Sequence, residues 1–181
     1  MATLSQAPAA DLIAEAEREL APVWATLDAI RHHNQKKVLR AFLDHQIGEQ
    51  HFAGTTGYGH GDLGREAMEG VFAQVMGAEA ALVRTQFASG THAIAVALFG
   101  ALKPGDELLY VTGHPYDTLE EVIGTRAPGQ GSLMEWGVRY RELDLKDGRV
   151  DLAALPGALR PETRVVAIQR SRGYAWRPSV T

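Results

Sequence analysis

Ser89, Gly90 and Thr91 are three small residues opening an apolar run that reaches Leu102. A helix beginning there offers unpaired backbone N–H groups and the positive end of its dipole to an anion. Gly90 lets the anion approach the backbone, and two hydroxyls add donors, so the triplet suits a phosphate. It also suits plain N-capping by Ser89 or Thr91, the commoner use of such residues. Tyr116 follows a predicted strand over residues 107–111, inside Thr112-Gly113-His114-Pro115-Tyr116-Asp117-Thr118. An aromatic ring at that strand's carboxyl end can stack on a flat ligand, or it is a surface tyrosine in a proline-containing turn. A third group lies in residues 54–64, where five glycines stand among Tyr58, His60 and Asp62, just ahead of Arg65. Tyr58 and Arg65 together can grip a phosphate, since a guanidinium presents a fork of donors. The alternative is a flexible surface loop.

The seven histidines show neither a His-x-x-x-His pair nor a known zinc spacing, so no metal site is expected. His92 and His114 each sit beside a candidate ligand contact, and His92 also suits a hydrogen-bonded core position. A Gly-Lys-Ser/Thr phosphate loop is lacking. Gly57-Tyr58-Gly59-His60-Gly61 lacks the apolar strand that a dinucleotide-binding glycine motif follows.

The elements that must position these residues alternate. Residues 10–46 carry helical spacing in Leu12, Ile13, Ala16 and Leu20 and, past Pro22, in Leu27, Ile30, Val38, Leu39 and Phe42. Residues 54–64 hold too many glycines for a helix or long strand. Helical spacing predicts a helix over 65–76, then a short buried strand over 80–84. Residues 90–102 form a predicted helix that is apolar nearly all round and therefore expected to be buried. A strand follows at 107–111, a short helix at 116–123, a loop at 127–131 and a strand at 138–143. A turn falls at 144–148, and Asp151 is a candidate cap for a short helix over 152–159. The β-branched run of residues 163–168 reads as a central parallel strand. Such alternation predicts an α/β layered fold, with residues 1–53 as a helical arm and 54–181 as the main domain.

The 181 residues suit one domain of ordinary size. With 18 Lys and Arg against 22 Asp and Glu, the formal charge is −4, which disfavours nucleic-acid or anionic-membrane partners. Cysteine is absent, so disulfides and thiolate metal sites are excluded. The first ten residues lack a secretory signal and no apolar stretch suggests a membrane span, so a cytoplasmic protein is expected.

Four runs, in order, resemble a known family: Gly57-Tyr58-Gly59-His60-Gly61-Asp62-Leu63-Gly64-Arg65-Glu66, Gln86-Phe87-Ala88-Ser89-Gly90-Thr91-His92-Ala93, Gly113-His114-Pro115-Tyr116-Asp117-Thr118-Leu119-Glu120-Glu121, and Ile168-Gln169-Arg170-Ser171-Arg172-Gly173-Tyr174. They are similar to the aluminium-resistance proteins, relatives of methionine gamma-lyase and cystathionine beta-lyase that use pyridoxal 5′-phosphate. The resemblance implies the N-terminal part of a fold-type-I enzyme, a homodimer or homotetramer in full-length form. It implies a lyase breaking C–S bonds in sulfur-containing amino acids. By motif position, Ser89, Gly90 and Thr91 would bind the cofactor phosphate, and Tyr116 would stack on its ring. Tyr58 and Arg65 would reach a phosphate across the dimer interface. Arg170, Ser171, His92 and His114 would line the site.

That chemistry needs a Schiff-base lysine and an acid against the pyridine nitrogen. The four lysines are Lys36, Lys37, Lys103 and Lys146, and none has the apolar, desolvating surroundings such a lysine requires. In the family, both missing groups lie downstream of any residue present here. The expectation is therefore a fragment or degenerate copy, inactive by itself, with uncovered apolar faces and a tendency to self-associate. A non-catalytic α/β domain binding phosphate or a partner is the alternative, and a nucleotide-binding domain is a third reading.

Overall fold

The computed structural model describes residues 9–58, 60–126 and 131–180. Its chain forms two compact units, Met1–Thr85 and Gln86–Thr181.

The first unit is helical. Helix α1 runs over Ala9–Asp44 and continues through Pro22. Its 36 residues make a rod about 54 Å long at 1.5 Å per residue. Pro22 has no N–H to give the helix, and the Thr26 hydroxyl donates to the Pro22 carbonyl at 3.1 Å. Only the last turns of α1 are packed down. Ala41 is buried, Gln74 Nε2 donates to Asp44 Oδ2 at 2.8 Å, and a Cβ on Gly70 would lie 2.4 Å from the His45 ring. Gln74 and Gly70 belong to α2, Leu63–Met76, which follows a short 3-10 helix at Glu49–Phe52. Asp62 caps α2: its Oδ1 accepts from Arg65 N at 3.1 Å and its Oδ2 from the Thr55 hydroxyl. Those hydrogen bonds, the one from the Arg65 backbone first, hold the Asp62 carboxyl below the usual range.

The strand expected over residues 80–84 does not form. This stretch spends its backbone groups on side chains instead, with Val83 N donating to Glu69 Oε1 at 3.0 Å and Arg84 reaching the Val83 carbonyl. Arg84 also pairs with Glu69, so one carboxylate of α2 holds the segment against the helix without a ladder.

The second unit is an α/β layer. Strands β1 (Glu107–Tyr110), β2 (Arg139–Glu142) and β5 (Thr163–Ala167) form a parallel sheet in the order β2-β1-β5. Helix α3 covers Gly90–Ala101, α4 Asp117–Ile123 and α5 Leu155–Ala158, and β3 (Leu145–Lys146) with β4 (Arg149–Val150) makes a small hairpin. Leu98 and Leu102 pack with Leu108 and Tyr110 of β1, Leu119 and Ile123 of α4, and Leu133 and Val138. Asp151 Oδ1 accepts from Ala153 N and Ala154 N, but these belong to the turn at 152–154; the helix itself covers only Leu155–Ala158, with Ala154 at its start and no side-chain cap, so the expected cap of a helix over 152–159 is not formed. Among the described residues no helix is long and apolar enough to cross a membrane.

Two expectations of burial fail. Helix α3 forms where predicted, yet Leu98 is its one buried residue among those described, and Ile94 and Val96 are exposed. Its apolar circumference exceeds the surface this unit offers it. Strand β5 is parallel but lies at the sheet edge, because β1 takes the centre; Val166 is exposed, whereas all four residues of β1 are buried. The predicted loop at 127–131 lies outside the described residues except for Gly131.

One carboxylate at the start of β1 ties the three strands together. Glu107 heads β1 and is wholly buried. It accepts from Arg141 Nε at 2.6 Å and Nη2 at 2.7 Å, and from the Thr163 hydroxyl at 2.6 Å. Arg160 lies 3.6 Å away. Arg141 is on β2 and Thr163 on β5, so the charge ties the central strand to both neighbours. A two-pronged guanidinium contact is the geometry in which a buried pair offsets its desolvation. Arg141 above all, aided by Thr163, holds Glu107 down at about 2, against the burial that raises it.

Replacing Arg141 with methionine strands a buried carboxylate, which should cost about 3 kcal/mol in urea unfolding at neutral pH. Because the folded-state value of Glu107 is depressed, its stabilisation is complete above the ordinary value of 4.5 and is lost as pH falls toward about 2. The gap between native chain and variant should accordingly narrow over that window.

Candidate functional site

The carboxyl ends of β1 and β5 hold most of the residues that the sequence singles out. Tyr116 follows β1 and starts α4; its backbone N–H donates to Gln169 Oε1 at 3.0 Å. Gln169 follows β5, and its own N–H donates to the buried Thr112 hydroxyl at 3.1 Å. One side chain thus stitches the two loops leaving adjacent strands. The Thr91 hydroxyl lies 2.8 Å from that of Thr118. This hydrogen bond fastens the start of α3 to the first turn of α4, two residues from Tyr116. The triplet and the tyrosine, 25 positions apart between Thr91 and Tyr116, therefore share one end of the sheet.

At the start of α3, Ser89 Oγ accepts from His92 N at 3.1 Å, which is the capping role. An accepting hydroxyl keeps its own proton for a further acceptor. The first N–H groups of any helix lack partners within it, and a Cβ placed on Gly90 would meet nothing within 4 Å. Ser89 and Gly90 are exposed. The helix start is thus a set of donors facing open space. His92 is exposed, not in the core; its Nδ1 accepts from Ala88 N at 3.2 Å and its ring meets Phe87 edge-on at 5.8 Å.

Tyr116 is half-buried, and the loop after β5 crosses its ring. A Cβ on Gly173 would lie 3.0 Å from its Cε2, so a side chain there would make the ring give by a few tenths of an ångström. Tyr174 stacks beyond it, ring centres 6.4 Å apart and planes 21° apart. The neighbouring Asp117 carboxylate, then burial, raise the Tyr116 phenol above its ordinary value.

Around His114, which the sequence singled out, lie groups that sequence reading passed over, among them Glu120, Glu142 and Tyr140. His114 stands between two carboxylates, with Nε2 3.2 Å from Glu120 Oε1 and Nδ1 3.2 Å from Glu142 Oε2. Tyr140 donates to Glu142 Oε2 at 2.8 Å, and burial followed by that bond pushes its phenol strongly upward. Arg172 approaches Glu120 at 4.0 Å. Gln169 and Thr118 lie inside motifs already quoted, and their polar character next to a strand end and a helix start was the available signal.

Other candidates have local employment. Arg170 Nε donates to the Val180 carbonyl at 3.0 Å and closes the loop ahead of it, while Ser171 is exposed. Tyr58 and Arg65 belong to the first unit. Tyr58 is exposed; Arg65 Nη2 donates to the Gly57 carbonyl at 3.1 Å and Nε lies 3.3 Å from Asp62. Lys36 and Lys37 are in α1, Lys103 lies in the turn after α3, and Lys146 is in β3.

Comparison with known proteins gives a consistent result. A family model described as methionine gamma-lyase matches residues 9–181. An uncharacterized Bacillus subtilis protein, YnbB, is 48% identical over 167 residues, which is 91% of this chain and 40% of that protein. Among solved structures, a Listeria innocua protein provisionally named a cystathionine beta-lyase involved in aluminum resistance is 45% identical with a TM-score of 0.91, covering 97% of this chain and 43% of that one. A Clostridium novyi protein named a carbon-sulfur lyase involved in aluminum resistance is 42% identical with a TM-score of 0.86, over 93% of this chain and 41% of that one. The chain thus spans about two fifths of the length of these relatives.

Removing the Gln169 side chain should free the Tyr116 loop. Gln169→Ala is expected to lower stability by about 1 kcal/mol, the worth of a typical hydrogen bond, and to weaken the tyrosine near-UV circular dichroism. An unchanged near-UV spectrum would mean that Tyr116 is positioned by other contacts.

Proposed function

The chain belongs to the methionine gamma-lyase family, and we propose on that premise that it supplies the N-terminal part of the cofactor cradle of a pyridoxal-phosphate-dependent carbon–sulfur lyase. The observation that carries this reading is the 2.8 Å contact between Thr91 and Thr118, which sets a helix start rich in donors beside an aromatic plane. A phosphate joined to a flat ring needs those two features together. The donor set fits the group: the Ser89 and Thr91 hydroxyls and the first N–H groups of α3 around Gly90, open to space, make an anion seat. The parallel sheet flanked by helices suits the fold-type-I architecture of such enzymes.

Bound there, pyridoxal phosphate supplies an electron sink for charge developing on an amino-acid substrate. The residues of this chain bind and orient. Ser89, Gly90 and Thr91 hold the phosphate, and Tyr116, backed by Gly173, sets the plane of the ring. His114, between Glu120 and Glu142, lies along the loop from β1 to Tyr116 and lines the substrate side together with Ser171 and Arg170. Tyr58 and Arg65 provide further phosphate contacts from a neighbouring subunit. The substrate class is a sulfur-containing amino acid. None of the four lysines stands in the loops that carry the site, so covalent anchoring of the cofactor is not assigned to this chain.

Calorimetry with pyridoxine 5′-phosphate should show binding to the chain, and none with unphosphorylated pyridoxine. Thr91→Val and Tyr116→Ala should each weaken binding about tenfold, equivalent to about 1.4 kcal/mol. Borohydride treatment in the presence of pyridoxal phosphate should mark no single lysine. Stoichiometric labelling of Lys36, Lys37, Lys103 or Lys146 would overturn the assignment of a purely non-covalent seat.

A further inference from the structure

The backbone of Tyr116 is held on both sides. Its N–H donates to Gln169, and its carbonyl accepts from the N–H groups of Leu119 at 2.9 Å and Glu120 at 3.2 Å. Glu120 is reached a second time, through its side chain: His114 Nε2 lies 3.2 Å from Glu120 Oε1. These contacts close a circuit from His114 through Pro115 and Tyr116 to Glu120 and back. Pro115, the link between histidine and tyrosine, is fully buried. Its ring fixes its own φ and restricts the residue before it. A displacement of His114 is therefore passed to Tyr116 through a stiff joint.

The other ring nitrogen of His114 faces β2. Nδ1 lies 3.2 Å from Glu142 Oε2, the oxygen that also accepts from the Tyr140 hydroxyl. Glu142 ends β2 and is in register with Tyr110 of β1, so this anchor is set by the sheet. Glu120 lies in the first turn of α4, with Arg172 4.0 Å from it. His114 thus ties the end of a strand to the helix that begins at Tyr116. An ionised carboxylate only accepts hydrogen bonds. An imidazole with one N–H serves one of the two carboxylates and turns a lone pair toward the other; with a proton on each nitrogen it donates to both. All of these groups belong to the second unit.

We propose that His114 is a positioning residue: by bridging Glu142 and Glu120 it presets Tyr116 for stacking on the flat ring of a bound ligand. The ligand rests on the cradle reading above, whereas the setting of Tyr116 is measurable without any ligand. The phosphate seat at the start of α3 lies outside the circuit, so the tie acts on the ring half of the site and not on the anion half.

In the complete 181-residue chain, His114→Leu removes both ties, and His114→Lys keeps a cation with donors for both carboxylates. The His114 and Glu142 side chains are 38% and 39% exposed, so changes there spare the core. The Tyr116 amide resonance should move in His114→Leu and return toward its native place in His114→Lys. Glu142→Ala, which cuts the tie at its other end, should move it in the same direction. Pyridoxine 5′-phosphate should bind His114→Leu about tenfold more weakly, as for the loss of one charged hydrogen bond, and lysine should restore most of the affinity. Inorganic phosphate should bind all three chains alike, a separation that general loosening of the fold does not produce. A Tyr116 resonance unmoved in both His114→Leu and Glu142→Ala would overturn the proposal. So would an equal loss of affinity for the two compounds. Failure of the native chain to bind pyridoxine 5′-phosphate, with Tyr116 still moved by His114→Leu, would instead overturn the cradle reading and with it the ligand named here.

Discussion

A carboxylate with no access to water sits at the head of the central strand, and the second unit is organised around satisfying it. Glu107 draws Arg141 from β2 and Thr163 from β5 onto one pair of oxygens. That ties the three parallel strands together near the start of β1, where the pairing with β5 shifts by one residue between Glu107 and Leu108. Parallel strands tied at one end deliver their loops together at the other. The loops after β1 and β5 then need only one more link, and Gln169 provides it by bonding both Tyr116 and Thr112. The site is a consequence of strand alignment, and the alignment rests on a buried ion pair whose removal leaves an uncompensated charge.

At the carboxyl ends the chemistry divides by residue type. The start of α3 offers neutral donors in the open, the kind of seat that holds a phosphate without a cation beside it. Tyr116 offers a ring crossed by the Gly173 backbone, with Tyr174 stacked beyond it. His114, Glu120, Glu142 and Tyr140 form a separate polar chain beside that plane. The open donors and the polar chain thus come from different elements, with Thr91 and Thr118 as the join.

Much of this was legible in the residues. Helix spacing gave α1 through Pro22, and Ser89 caps α3 as its type suggests. The order of the four motifs identified the family before any geometry. Three features were hidden for physical reasons. Residues 80–84 have a strand-like composition, but Glu69, eleven or more positions earlier, supplies the partner their backbone takes. The β-branched run of β5 reads as central because composition reports what a strand tolerates, not how many neighbours it has. The apolar circumference of α3 likewise records a burial that the described residues do not provide. Glu107 was the clearest overlooked signal: a charge at the head of an otherwise apolar strand needs a partner, and the arginine in the next strand is 34 residues away.

The central claim is that the start of α3 and the ring of Tyr116 form one anion-and-ring seat. Amide resonances in a nitrogen–proton correlation spectrum, followed while pyridoxal 5′-phosphate is added to the chain, test it most directly. The seat predicts saturable shifts centred on Gly90, Thr91 and Tyr116, with inorganic phosphate moving the first two alone. Shifts scattered over the lysines, or concentrated away from α3, would contradict it.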